Sequence, residues 1–280
     1  MTPQDGIAHA RQQARNLQRR FGVESVQHVD VHAFADRLNV HIVDAPLQGA
    51  LAQLVVNGHS ARILLSSRLR DPTRRRIAIA HELGHYVLSH PSPTVAELCE
   101  PRPHPSHRSA NGRDFESEAH GFALELLTPA AEVDALCRAR DPDLLLCAQL
   151  SISAWVPIEH AAIRVAERSD RTCAAVLSTS GGIAWVAPSH RFLSEFGTSL
   201  ASKLRQGLPL DRRTLASQIM DRSAPYAPAE VPADAWLGSP GQPLLENSAP
   251  VAEGGAMLTI LWAHCLDGTS SSAGTCTTLS

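Results

Sequence analysis

The sequence predicts an α+β fold, in which helices and strands occupy separate stretches of one chain. Two helical stretches near the N-terminus are followed by three short β-rich runs between residues 40 and 65. Helical periodicity then dominates residues 74–89 and 114–168, with a loop predicted over residues 91–113, and a mixed strand and helix pattern fills residues 171–266. With 280 residues, of which 44% are apolar, the chain is long enough to bury a substantial core.

Composition excludes several classes of protein. A net charge of −3 argues against strong electrostatic binding to nucleic acid or to an anionic membrane. No apolar run reaches the ~18 residues that a membrane helix needs, and the N-terminus is polar, so we expect a cytoplasmic protein. The six cysteines form no CxxC pair, which favours reduced thiols in that compartment.

The N-terminal region is predicted to contain two helices and a small antiparallel sheet. Residues 7–21 have the mixture of charged and small side chains of a surface helix, and residues 31–38 have apolar positions at helical spacing. Asp30 is a suitable N-cap for the second helix. Asn57-Gly58 lies between two apolar runs, which predicts a hairpin.

A helix over residues 74–89 carries the motif His81-Glu82-Leu83-Gly84-His85. Histidines four residues apart project from one face of a helix, so both imidazoles can bind one zinc ion. Glu82 is placed to take a proton from a water molecule activated there. Gly84 costs about 1 kcal/mol of helix propensity, which suggests that another element packs closely against it.

The next helix, over residues 114–127, offers a third ligand. Glu116 and His120 are four residues apart and share a face, whereas Glu118 lies about 200° from Glu116 around the helix and cannot face the same ion. A carboxylate would give a His₂Glu site and His120 would give a His₃ site. We interpret His90 as a helix C-terminal residue that interacts with carbonyl ends.

These two helices together resemble the ImmA/IrrE metallopeptidases. RRIAIAHELGH is followed about thirty residues later by E-x-E-A-x-x-FA-x-x-LL-x-P. The resemblance implies a zincin-like metallopeptidase core in which His81, His85 and Glu116 bind the metal and Glu82 is catalytic. His120 stands where the family usually has Asn or Asp, which implies a supporting place beside the ligands.

Residues 1–138 are predicted to form the metallopeptidase domain, and residues 139–170 a helical segment like a helix-turn-helix, interrupted near residues 151–153. By the same resemblance, residues 171–266 form a GAF-like α/β domain. Residues 267–280 are poor in apolar side chains and are predicted to be disordered.

The resemblance implies a zinc-dependent endopeptidase, with Mn²⁺ as the alternative metal in cells. Its implied substrate is an XRE-type helix-turn-helix repressor, whose cleavage derepresses stress-response genes. The alternative function is a DNA-binding transcriptional activator that uses residues 144–168 and whose metal site is regulatory or vestigial. The few basic residues on that segment do not favour direct DNA contact. The oligomeric state is not predicted.

Overall fold

The computed structural model describes residues 3–23, 25–58, 60–91, 114–138, 140–221, 227–252 and 255–264. Its first part carries mainly helices, with one small sheet. In chain order the elements are α1 (Pro3–Phe21), α2 (Val31–Arg37), β1 (Val40–Ala45), β2 (Ala52–Asn57), β3 (Ser60–Ser66), α3 (Pro72–Val87), α4 (Phe115–Leu127), α5 (Ala130–Arg138), α6 (Leu144–Ala154) and α7 (Ile158–Arg168).

The second part is built on strands. It contains β4 (Cys173–Thr179), β5 (Gly182–Pro188), α8 (His190–Ser202), α9 (Leu215–Met220), β6 (Ala229–Val231), α10 (Ala233–Leu237), β7 (Leu244–Ala252) and β8 (Ala256–Ala263). Helices and small sheets therefore form the mixed α+β architecture that the sequence predicts. The predicted disordered tail, residues 267–280, lies outside the described residues.

Aspartate side chains fix the starts of helices in the first part of the chain. Asp30 accepts hydrogen bonds from the backbone of His32 and Ala33, as its predicted capping role requires. Asp71 does the same for Thr73 and Arg74 at the start of α3, where Pro72 occupies the first turn. Both caps set the helix start, and hence which residues of the helix face the core.

The first sheet is mixed, not antiparallel as predicted. Its strand order is β1-β3-β2, with β2 antiparallel to β3 and β1 parallel to β3. The predicted hairpin at Asn57-Gly58 is present, because Asn57 pairs with Ser60. Strand β3, the second strand of that hairpin, lies beside β1 and runs parallel to it. The Asn-Gly signal defines only the local β2–β3 pairing, so the parallel neighbour was not predicted.

Helices α3 and α4 pack unusually closely at Gly84. A Cβ atom placed on Gly84 would lie 3.1 Å from the Cα and the carbonyl oxygen of Ala119 and 3.1 Å from Cδ1 of Phe122. The missing side chain therefore lets the α4 backbone approach α3, which is the packing reason expected from the sequence.

The chain bends by 114° between α6 and α7, across residues 155–157. The break comes later than the predicted 151–153, because Trp155 adopts a left-handed conformation (φ 56°) and Pro157 precedes α7. No single helix in the described part of the chain is long and apolar enough to cross a membrane, although α6 and α7 reach that length together.

The second sheet is antiparallel, with strand order β5-β4-β8-β7-β6. The predicted hairpin across Gly181-Gly182 joins β4 to β5. One apolar core cluster runs from the N-terminal helices through α7 to Cys173, Ala175 and Ile260 of this sheet. The proposed boundary near residue 170 stays a prediction, but packing is continuous across it.

We expect Gly84→Ala to destabilise the protein by about 1–3 kcal/mol, the usual range for overpacking, because the new methyl group meets helix backbone that cannot retreat. Thermal unfolding measures this effect. Gly197→Ala is the matched control, since a Cβ on Gly197 of α8 meets nothing within 4 Å. It should be neutral or stabilising through helix propensity alone. Equal stability of the two variants would contradict the close-packing argument.

Candidate metal centre

The two histidines of the motif lie on adjacent turns of α3, inside the protein. Their side chains are 9% (His81) and 3% (His85) exposed. The buried stretch of α3 runs from Ile77 to His85. Residues 77–80, which precede the motif, are all apolar and buried. The helix is therefore held in the core, and both imidazoles are fixed.

Glu116 on the first turn of α4 completes a cluster with His81 and His85. One ligand atom from each residue lies within 4.8 Å of the others. The Nε2 atoms of His81 and His85 are 3.0 Å apart, and Glu116 places Oε2 3.1 Å from His81 Nε2 and Oε1 3.4 Å from His85 Nε2. Ligand atoms about 2.0–2.1 Å from one tetrahedral zinc ion would be separated by about 3.3 Å. The three side chains therefore fit a divalent ion at their centre.

The charges of the cluster are strongly coupled. Burial works against the imidazolium of His81, but the hydrogen bond to Glu116 and the charges of Glu82 and Glu116 outweigh it and raise the pKa of His81. Burial favours neutral Glu116, yet its hydrogen bonds to His81 and His85 lower its pKa well below the ordinary value. The Glu116 carboxylate is therefore ionised, as a metal ligand must be.

Glu82 lies beside these ligands and is 1% exposed. Burial raises its pKa, against the opposing charges of His81 and His85 and a hydrogen bond from the Leu54 backbone. Its Oε2 atom is buried and has no hydrogen-bond partner. A carboxylate oxygen left without a partner in this position is available to a water molecule or a substrate.

His120 is not among the clustered ligands in the described part of the chain. Its ring packs on that of His160 in α7, with centroids 5.5 Å apart. Burial lowers the pKa of His120 to about 4, with the charge of His81 adding to the effect, so its imidazole is neutral. The metal-ligand cluster found among the described residues contains Glu116 and not His120, which favours the His₂Glu site.

Two residues next to the cluster, His90 and Glu118, were not predicted from the sequence to support it. His90 was interpreted as a helix-end residue, but its side chain is buried and contacts both His85 and Glu118. Glu118 is not among the clustered ligands and instead contacts His90. Its near-complete burial shows that it has a place in the structure, which the spacing of two carboxylates on a helix could not reveal.

The predicted helix-turn-helix-like segment does not present a free second helix. Residues 159–166 of α7 are all buried, and Glu159 pairs with Arg74 at 2.6 Å. A recognition helix must expose the face that enters the major groove. Direct DNA contact through α7 would therefore require it to unpack from the core.

Comparison with known proteins identifies the domain. Residues 35–165 match the Peptidase_M78 model, described as an IrrE N-terminal-like domain. This match supports the ImmA/IrrE assignment that the sequence predicted, and it extends into α7. The match supports a metallopeptidase or an IrrE-like regulator.

A Mycobacterium tuberculosis transcriptional regulator of known structure is similar at a TM-score of 0.52 and 12% identity, over 91% of this chain and 76% of that one. At this identity the likeness concerns the fold alone. No curated protein matches the chain.

We expect Glu116→Ala to weaken zinc binding more than the roughly 10–100-fold that loss of an outer-shell partner costs, because a ligand itself is removed. His120→Asn, which introduces a residue usual in the family, should bind zinc like the wild type. Competition with a chromophoric chelator measures both affinities. Normal affinity in Glu116→Ala together with lost binding in His120→Asn would reverse the assignment of the third ligand.

Proposed function

We propose that this protein is a zinc-dependent endopeptidase that cleaves an XRE-type helix-turn-helix repressor and thereby releases stress-response genes. The observation that carries the proposal is the convergence of His81, His85 and Glu116 beside the buried carboxylate of Glu82. A purely structural metal site would have no use for that carboxylate. The choice of repressor as substrate rests on the family resemblance.

The donor set suits zinc chemistry. Two imidazoles and one carboxylate leave one tetrahedral position open, which is typical of catalytic zinc. When bound, zinc supplies Lewis-acid polarisation of the scissile carbonyl and of the attacking water. The same nitrogen and oxygen donors accept Mn²⁺, so the metal in cells depends on availability as well as on affinity.

Glu82 is the proposed general base. Its unpartnered Oε2 accepts a proton from the attacking water, and the resulting carboxylic acid gives that proton to the departing amine. Burial raises the pKa of Glu82, which strengthens it as a base. His81, His85 and Glu82 share α3, so one rigid helix fixes the distances among these three side chains.

The edge of the first sheet offers a place for the peptide. Among the described residues β2 pairs only with β3, and its other edge is unpaired. Helix α3 packs against β2, and the Leu54 backbone is within hydrogen-bonding reach of Glu82. An extended substrate segment that adds to this edge would run past the metal ligands. Val55 and Val56 are exposed there and would contact its side chains.

The C-terminal sheet is proposed to sense a signal or to dock the repressor. Its five antiparallel strands and their helices are compatible with the GAF-like domain inferred for residues 171–266. The protein is proposed to act in the cytoplasm, where a DNA-bound repressor is found.

We expect Glu82→Gln to retain zinc but to cleave 10²–10⁴-fold more slowly, because glutamine is nearly isosteric yet cannot accept the proton. Zinc content by atomic emission and single-turnover cleavage rates check the two halves of this expectation. Near-wild-type cleavage by the metal-loaded variant would remove Glu82 from the mechanism.

The substrate is tested by mixing the zinc-loaded protein with the XRE-type repressor encoded in the same genome and analysing the fragments by mass spectrometry. We expect one discrete cleavage that is lost with a chelator and in Glu82→Gln. An intact repressor after prolonged incubation would contradict the proposed substrate. DNA binding that falls steeply with salt would instead support the activator alternative.

A further inference from the structure

Helix α3 ends in a turn that folds His90 back toward the metal ligands. Ser89 takes a left-handed conformation (φ 52°), its N–H donates to the carbonyl of Tyr86, and the N–H of His90 donates to the carbonyl of His85. This pair of backbone hydrogen bonds is the Schellman motif. It reverses the chain one residue after the helix and brings the His90 side chain beside the helix that it follows.

The His90 ring then lies between a metal-ligating histidine and a buried carboxylate. His90 Nδ1 is 3.0 Å from His85 Nδ1, and His90 Nε2 is 3.0 Å from Glu118 Oε2. The side chains of His90 and Glu118 are 0% and 1% exposed. Gly6 of α1 makes room for this carboxylate, because a Cβ there would collide with Glu118 Oε1.

When His85 binds a metal, only one arrangement of protons gives each ring nitrogen of His85 and His90 a suitable partner. His85 Nε2 faces His81 and Glu116 and must be unprotonated to act as a ligand. The proton of neutral His85 is then on Nδ1, which donates to His90 Nδ1. His90 consequently carries its own proton on Nε2 and donates it to the Glu118 carboxylate.

We propose that His90 and Glu118 form a hydrogen-bonded relay that fixes the tautomer and the ring orientation of His85 and so presents its Nε2 to the metal. The inference rests on the metal site of the proposed function and adds two positioning residues to it. A metal-bound histidine usually donates its second ring N–H to a carboxylate, a backbone carbonyl or a water molecule. Here a second histidine is interposed between the ligand and the carboxylate.

Zinc affinity of the full-length chain tests the relay. His90→Phe keeps a ring but removes both nitrogens, and we expect zinc affinity to fall about 10–100-fold. Glu118→Gln retains an oxygen that accepts from His90 Nε2–H, so its affinity should fall less. His160→Phe is the matched control, because it removes the same nitrogens from a buried ring that packs on His120 and not on a ligand.

The outcomes separate the relay from the metal site and from folding. A wild type that does not bind zinc overturns the metal site and the relay with it. A wild type that binds zinc, with His90→Phe binding equally tightly, overturns the relay alone. Thermal unfolding of the metal-free variants identifies any folding defect. An affinity loss in His160→Phe as large as in His90→Phe would also overturn the relay.

A spectroscopic measurement tests the relay in the unmodified protein. In the zinc-loaded chain labelled with ¹⁵N-histidine, an N–H···N hydrogen bond between His85 Nδ1 and His90 Nδ1 should give a ¹⁵N–¹⁵N coupling across the bond. Glu118→Gln should retain this coupling. Its absence from the wild type, with zinc bound, would show that the two rings are not joined and would overturn the proposal.

Discussion

The close approach of α3 and α4 at Gly84 is the constraint on which the metal site depends. Two ligands lie on α3 and the third on α4, so no site exists unless the two helix axes are near enough for a short glutamate side chain to reach two imidazoles. Ala119 provides the facing backbone, and Phe122 covers the contact. On the other side of α4, Gly121 admits Ile7 of α1 in the same manner. Small residues thus hold α4 between two helices.

Burial of this site brings the carboxylates of Glu82 and Glu116 close together, and a bound cation can balance their negative charge. Glu82 and Glu116 lie close to His81 and His85, and the charges of this cluster shift the pKa values of His81, Glu82 and Glu116. Such coupling is typical of functional sites, because burial that weakens solvation makes every remaining charge more effective. His81, Glu82 and His85 are buried in the apolar core, whereas the Glu116 side chain is 41% exposed, so the cluster is open to solvent at Glu116.

The sequence was most informative where local chemistry decides structure. Asp30, Asp71 and the Asn57-Gly58 turn act through their neighbours in the chain, and the metal-ligating histidines are related by one helical turn. Prediction failed where distant segments decide. The parallel neighbour of β3 depends on the path between strands, and β7 was not recognised because its centre, residues 246–248, is polar yet buried.

His90 shows a subtler limit of sequence reasoning. Its distance from His85 along the chain suggests a place beyond the helix, and only the left-handed Ser89 turns it back. A non-glycine residue with positive φ leaves a weak trace in sequence. The residue that supports a ligand can therefore be close in sequence and still not be recognised.

Arg164 has a consequence for how this chain can change over generations. Its side chain is fully buried in α7, pairs with Glu125 of α4 at 2.6 Å and donates to the carbonyl of Thr128. Loss of one partner leaves the other with a longer ion pair, from Arg164 to Glu167 at 3.5 Å or from Arg15 to Glu125 at 3.4 Å. Breaking a buried pair typically costs about 3–5 kcal/mol, a large part of the stability of a typical domain. Joint exchange is therefore favoured, and positions 125 and 164 should vary together among related chains.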